Sequence, residues 1–301
     1  MSDFITFARA HGVDINPTKF CARDKVQRCG TVDKPKSSNG AYFWDGERGW
    51  VFNWSAEARV QWYSDSNAKP WTEEEKAAWR QRKNAAQASQ EQNYAKASIR
   101  AQELMKATKP DQHAYLHRKG FPEAKGLIAE DGALLVPMRD FQTGNVSGVQ
   151  TIRWLEDERK FEKKMQPGMR AKGAVFRIGT GRESILCEGY ATGLSIASAA
   201  RSVGLSAAVI VCFSAHNLEH VARLMKGRAF VFADHDETTK PEREKRDRGE
   251  PFEARGPGEL AAVHTGLPYC MSPVLGEDAN DLHLRAGLFA VAQLLMEVRR
   301  K

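Results

Sequence analysis

After Gly181 the chain settles into a regular exchange of short apolar runs and longer amphipathic stretches. The runs "SILCEG", "AAVIVCF", "RAFVFADHD" and "YCMSPV" have the length of buried strands. Between and after them, "TGLSIASAARSVG", "NLEHVARLMKG", "GPGELAAVHTG" and "DLHLRAGLFAVAQLLMEVRRK" space their apolar residues as helices do. Strands that alternate with helices run parallel, because each crossover returns the chain to the same end, and both faces of such a sheet are covered. Residues 181–301 are therefore read as an α/β unit, a parallel sheet flanked by helices. One stretch breaks the rhythm: "ETTKPEREKRDRGEPFEARGPG" (237–258) is charged, punctuated by Pro and Gly, and reads as a mobile insertion after a strand.

The earlier part is patterned differently. In residues 1–64, "GAYFWDGERGWVFNWS" sets aromatic residues on either side of Asp45-Gly46 and Arg48-Gly49, the pattern of a hairpin in a small β-rich domain. Trp44, Trp50, Phe52 and Trp54 are expected to form the core of that domain, since alternate residues of a strand share a face. The competing reading has these rings and their basic neighbours stacking on bases. From Trp71 to about Lys106, Ala, Gln, Glu, Lys and Arg dominate without Gly or Pro, opening on "TEEEK", where Thr72 can cap and Glu75 sits three residues on. This predicts a long helix with few large apolar residues, a solvated connector occupying 65–110. In 111–180, "LLVPMRDFQTGNVSGVQTIRW" reads as a hairpin around Thr143-Gly144-Asn145. Arg139, Arg153, Arg159, Lys160, Lys163, Lys164, Arg170, Lys172 and Arg177 gather about it, giving a basic α+β subdomain.

Composition narrows the class. A chain of 301 residues can bury two compact cores, and a formal charge of +7 points toward a polyanionic partner without proving one. No apolar run is long enough to span a bilayer and no signal peptide is read, so no membrane partner is expected. Cys21, Cys29, Cys187, Cys212 and Cys270 are an odd, scattered set, as expected of a cytoplasmic protein without structural disulfides. The N-terminal part offers only His11, Cys21 and Cys29, at unsuitable spacing for a zinc ribbon, so no zinc is expected.

The candidate chemistry lies at the strand ends. In an open parallel sheet, ligands collect beyond the carboxyl ends of the strands. Three of the four predicted strands end in acids there: Glu188, then Asp234 and Asp236, then Asp278 and Asp281. Taken singly, each has an ordinary explanation. Glu188 can be a turn residue, and "GEDANDL" can be helix capping with Asp281 as the cap. Taken together, carboxylates crowded without counter-charges resist ionisation, and a divalent cation with oxygen ligands converts that repulsion into coordination. His235, between the two aspartates, points away by alternation and is read as a spacer.

"ILCEGYATGLSIA", "VFADHDE" and "EDANDL" resemble the three acidic motifs of a Toprim domain. "YLHRKGF", "LLVPMRD" and "AKGAVFRIG" are similar to the preceding segments of bacterial-type DNA primases, especially the compact plasmid and phage versions. The likeness spans about residues 112–285. It implies a Toprim-type parallel sheet in 181–301, preceded by a basic subdomain in 111–180 that completes the polymerase core, with the β-rich domain of 1–64 joined on by the long helix.

The resemblance further implies a nucleotidyltransferase that makes short RNA primers on a single-stranded DNA template from ribonucleoside triphosphates with Mg²⁺ or Mn²⁺, and a replicative helicase or polymerase as a further partner. By motif position it makes Glu188, Asp234 and Asp236 catalytic, with Asp278 and Asp281 joining them as metal ligands. Glu188 is left as either a metal ligand or the acceptor of the attacking hydroxyl's proton. Arg139 and Lys172 match basic positions that face phosphates or template, and Arg153 and Lys164 in the same block are expected to share that work. Two further readings remain: a Toprim nuclease acting on phosphodiesters, and a non-catalytic single-stranded-DNA-binding accessory of replication. No GxxxxGK[ST] loop and no helicase segment is read.

Overall fold

The computed structural model describes residues 3–21, 23–54, 59–64 and 72–300; the side chains of Arg23, Asp24 and Glu75 lie outside the description, and with Glu75 the capping box expected at Thr72. Two compact units are present, Met1–Asn84 and Ala85–Lys301, and the division falls inside the long helix.

The first unit is a five-stranded antiparallel sheet in sequential order. Its strands are β1 (Val13–Asp14), β2 (Arg23–Thr31), β3 (Gly40–Trp44), β4 (Arg48–Asn53) and β5 (Gln61–Ser64), with α1 (Asp3–Ala10) on one face. Phe4, Ala8, Val13, Ile15, Tyr42, Trp44 and Val51 form the core. Of the four rings expected there, only Trp44 enters it. The reason is register: Trp44 pairs with Gly49 and Phe43 with Trp50, so Trp50 and Phe52 point to the opposite face from Trp44. Trp54 is half exposed beside Phe52.

Helix α2 (Glu73–Lys106) begins as the sequence predicts, but its later turns are not a solvated connector. Ala97 and Ala101 are fully buried, Ala97 against Met138, Met169 and Ala174; Ser98 Oγ donates to Val146 O, and Gln166 Nε2 donates to Ala97 O. Small residues make this contact, which is why the helix carries so little apolar bulk.

The second unit is built on one ten-stranded sheet. Its antiparallel part contains β6 (Lys109–Asp111), β7 (Gly126–Ile128), β8 (Leu134–Asp140), β9 (Val146–Leu155), β10 (Lys160–Met165) and β11 (Ala174–Ile178), with α3 (Ala114–Arg118) between β6 and β7. The expected hairpin is β8–β9, turning at Gly144 with φ +75°. The parallel part contains β12 (Glu183–Cys187), β13 (Ala207–Val211), β14 (Ala229–Ala233) and β15 (Tyr269–Met271), ordered β13-β12-β14-β15. The change of pattern at Gly181 is not a gap between sheets, because β11 pairs antiparallel with β13 and joins the two parts.

Alternation decides which helix each strand residue meets. Ile185, Cys187, Val209, Val211, Phe230 and Phe232 face α4 (Tyr190–Ser202) and α8 (Ala279–Arg300). Leu186, Ala208, Ile210, Val231 and Ala233 face α5 (Ala215–Ala222) and α7 (Pro257–Thr265). Two details differ from the sequence reading. The charged stretch 237–258 contains α6 (Lys240–Asp247), started by a proline in its first turn and tied back where Glu242 accepts the Glu253 N–H. The closing helix is bent at Gly287, whose φ of +82° no other residue type adopts readily. Among the described residues no helix is long and apolar enough to cross a membrane.

Candidate functional site

The carboxyl ends of β12, β14 and β15 open onto one edge of the sheet. Main-chain bonding runs past the strand ends: Cys212 N donates to Cys187 O and Phe213 N to Glu188 O, which fixes Glu188 where β12 turns into α4. Phe213 has φ +66°, a strained conformation for an aromatic residue, held because its N–H reaches back to Glu188 and its ring packs inward. The Glu188 carboxylate accepts the N–H of Ala215 at the start of α5.

Asp234 and Asp236 follow β14. Gly256 and Gly258 lie so close that a Cβ would stand 2.1 Å from Asp236 O and 2.5 Å from Asp234 O, so only glycine lets α7 approach this turn. Gly258 N donates to Asp236 Oδ2 at 3.1 Å. His235, read from sequence as a spacer, is a tether: its Nδ1 lies 2.8 Å from Ser272 O, and its N–H donates to Glu277 O. That tether brings the segment after β15 back toward Asp234. Asp278 then caps α8, accepting the N–H groups of Asn280 (2.7 Å) and Asp281 (2.9 Å) on Oδ1 and the Thr192 hydroxyl (2.9 Å) on Oδ2. Asp281 Oδ2 accepts the Asp278 N–H in return. The cap is therefore Asp278, and Asp281 is its partner, the reverse of the sequence expectation.

The electrostatics show which acids share a field. Burial pushes Glu188 up to about 7, Asp236 adds to the push, and the Ala215 N–H opposes it. Burial pushes Asp234 up to about 8, with Glu188, Asp278 and Asp236 raising it further and Lys163 pulling the other way. Asp234 Oδ1 is buried without a hydrogen-bond partner among the described residues. Asp281 stands slightly apart, 3.8 Å from Lys119 Nζ.

The cations facing these acids are Lys163 and Lys119. Lys163 is open to solvent yet ringed by protein; burial lowers its pKa and Lys119 lowers it further, against Asp278, Asp234 and Asp281. Its ammonium lies 5.5 Å from the centre of the Tyr115 ring. Three of the four cations expected from sequence, Arg139, Arg153 and Lys164, have local partners instead. Arg139 donates to Gly144 O in its own hairpin, Arg153 pairs with Asp131, and Lys164 pairs with Glu162 at 2.8 Å. Lys172 acts with Arg223 on His220. Strand alternation could have separated Lys163 from Lys164. Phe161 packs inward against Tyr115 and Tyr190, and Lys163, two residues on, shares that side.

Residues 183–288, which contain all five acids, match the family described as the Toprim domain. The chain carries a Toprim domain. No curated protein matches it. A chain in a solved assembly of the bacteriophage T7 lagging-strand DNA polymerase with primase domains of two gp4 subunits, bound to an RNA/DNA hybrid and dTTP, is similar over 64% of this chain and 92% of that one, at 15% identity and a TM-score of 0.35. That likeness is too distant to carry an argument.

Toprim domains bind Mg²⁺ in general. Here the donor chemistry fits: hard oxygens, an orphaned Asp234 Oδ1, and carboxylates raised by burial and then by one another's charge. Among the described residues, however, no three His, Cys, Asp or Glu side chains are gathered tightly enough to hold an ion as they stand. The Toprim acids share a field, and they do not form a closed cage.

Proposed function

We propose that the protein is a DNA primase, synthesising short RNA primers on single-stranded DNA from ribonucleoside triphosphates. The observation that carries this reading is that Asp234, Asp278 and Asp281 at the Toprim edge share their field with Lys163, on β10, and with Lys119, just after α3. Hydrolysis of a phosphodiester requires the acids. Holding a triphosphate against them calls for a second, cationic wall, and this unit has one.

In nucleotidyl transfer a 3′-oxygen attacks the α-phosphorus, its O–H bond breaks, a new P–O bond forms, and the P–O bond to pyrophosphate breaks. Mg²⁺ or Mn²⁺, when bound, supplies positive charge that offsets the charge growing on the phosphate oxygens. Asp234, Asp236 and Asp278 are the residues that would hold it, with Asp281 supporting the Asp278 cap. Lys163 and Lys119 bind the β- and γ-phosphates and stabilise the leaving pyrophosphate. Glu188, poised near neutral pH, has two roles open to it: accepting the 3′-hydroxyl proton on its carboxylate, or completing the ligand set. Arg139, Arg153, Lys164 and Lys172 serve at most as outlying contacts to template phosphates, giving salt-sensitive binding.

The test is primer synthesis from labelled ribonucleoside triphosphates on mixed-sequence single-stranded templates with Mg²⁺ or Mn²⁺. Extended products with the parent chain, and none with Glu188→Gln, support the reading. Strand cleavage without synthesis would replace it by a Toprim nuclease, and DNA binding with neither activity by a non-catalytic accessory.

A further inference from the structure

The first unit contains two sets of aromatic residues, and only one of them enters its core. Phe4, Phe20, Tyr42, Trp44 and Tyr63 surround one another on the α1 face, with Phe4 and Trp44 stacked at 4.6 Å. The second set lies on the other face. Trp62 is directly opposite Trp50, and Trp50 is directly opposite Phe43, so these three rings form a row across β5, β4 and β3. Phe52 and Trp54 continue the face along β4, 4.5 Å apart. Trp62 is 66% exposed and Trp54 50%. Large rings left in water on one face of a small sheet mark a contact surface.

Two features indicate what that surface contacts. A cavity of about 260 Å³ is lined by Phe43, Trp50, Trp62 and Trp79 together with Arg48 and Asp45. On the same face the Arg28 guanidinium carbon lies 3.7 Å from the centre of the Trp54 ring, showing that this ring accepts a cation over its face. The charges fit a polyanion. Lys25 and Arg28 are exposed and Arg48 lines the cavity, whereas Asp45, the one acid among its described lining residues, accepts the N–H groups of Glu47 and Arg48 within its own turn. A sheet face that offers stacked rings with basic residues at their margins is a general solution for binding single strands.

We propose that the outer face of this five-stranded sheet is a stacking platform for single-stranded DNA, taking bases on Trp62 and Trp50 and beside the Arg28–Trp54 pair, with Arg48 on the backbone. The choice of occupant rests on the primase reading. The binding itself is measurable without nucleotides or metal, so its failure is distinct from a failure of synthesis.

The test uses the full chain in the presence of a chelator and a fluorescently labelled mixed-sequence oligodeoxynucleotide of about 16 nucleotides. Trp62→Ala, a change at an exposed ring, and the double variant Trp54→Ala/Trp62→Ala are expected to weaken binding by about 10- to 100-fold while leaving the slope of affinity against salt unchanged, since stacking releases no counterions. Affinity for a blunt duplex is expected to stay within about twofold, because paired bases offer no free faces. Variants that melt with the parent chain and retain single-strand affinity overturn the proposal and leave a protein partner as the occupant. An equal loss on duplex, or a changed salt slope, overturns it as well. If the double variant melts early, the single variant and the quenching of tryptophan emission by the oligonucleotide in the parent chain decide the question; absence of quenching counts against the platform.

Discussion

Strand β12 carries a glutamate at each end, and the two are treated in opposite ways. Glu183, at its start, is buried and accepts from both Arg228 Nη1 (3.3 Å) and Arg299 Nε (2.8 Å), so each carboxylate oxygen has a cation. Glu188, just past its other end, has no ion-pair partner among the described residues, shares its surroundings with Asp234 and Asp236, and is pushed up to about 7. A chain that satisfies one glutamate so fully could have satisfied the other. Leaving Glu188 in a field of like charge costs stability, and such sites are where a fold pays for a ligand it has not yet bound.

The sharpest way to break that comparison is Asp234→Asn. It removes a charge that the fold resists, so primer synthesis is expected to fall by at least about 100-fold while the melting temperature at pH 8 stays level or rises. A loss of activity accompanied by unfolding would erase the distinction between the two ends. Next in size is the contrast between neighbours: Lys163→Ala is expected to raise the KM for nucleoside triphosphate by about 10-fold, and Lys164→Ala to change it by less than about twofold, in steady-state assays. Equal effects would show that strand alternation does not select the site cation.

At the satisfied end, Glu183→Gln leaves Arg228 and Arg299 facing one another. Because both arginines are partly exposed, the cost is expected to be about 1–3 kcal/mol, below that of a fully buried pair. It should appear in denaturant titration, with turnover per folded molecule unchanged. The remaining effect concerns pH. With Glu188 near 7 and Asp234 near 8, both above the ordinary carboxylate range, the folded chain holds protons that the unfolded chain has released. Stability therefore falls as pH rises from about 4 to about 8, then levels off. Adding Mg²⁺ or Mn²⁺ at pH 8 should recover a few degrees of melting temperature in the parent chain and fewer in Glu188→Gln, read by calorimetry.

Much of the Toprim half was legible from sequence because two periodicities coincide there. Apolar runs such as Val209–Val211 must bury both faces, and the acids Glu188, Asp234 and Asp278 sit where such strands end. What escaped was whatever depends on pairing rather than on pattern. The inner or outer position of Trp50 follows from its partner Phe43 across the hairpin, which no single strand reveals. The docking of α2 relies on Ala97 and Ala101, residues that read as neutral helix formers. Asp278 and Asp281 had the right composition for a cap, and only their hydrogen bonds show which of them caps. The placement of Lys119 depends on Asn280, buried 161 positions away in sequence, whose amide donates to Lys119 O.

The joining of β11 to β13 has a geometric consequence. From β10, which bears Lys163, to β14, which leads into Asp234, the strand order counts six steps, and in a flat sheet these would separate the two strands by about 29 Å. Yet Lys163 and Asp234 share a field, so the sheet is not flat between them. The irregular pairing between Met138 and Arg139 in β8 is a local source of such bending. The separation of Lys163 from Asp234 thus depends on main-chain pairing, and straightening β8 at Met138 and Arg139 would draw the two apart.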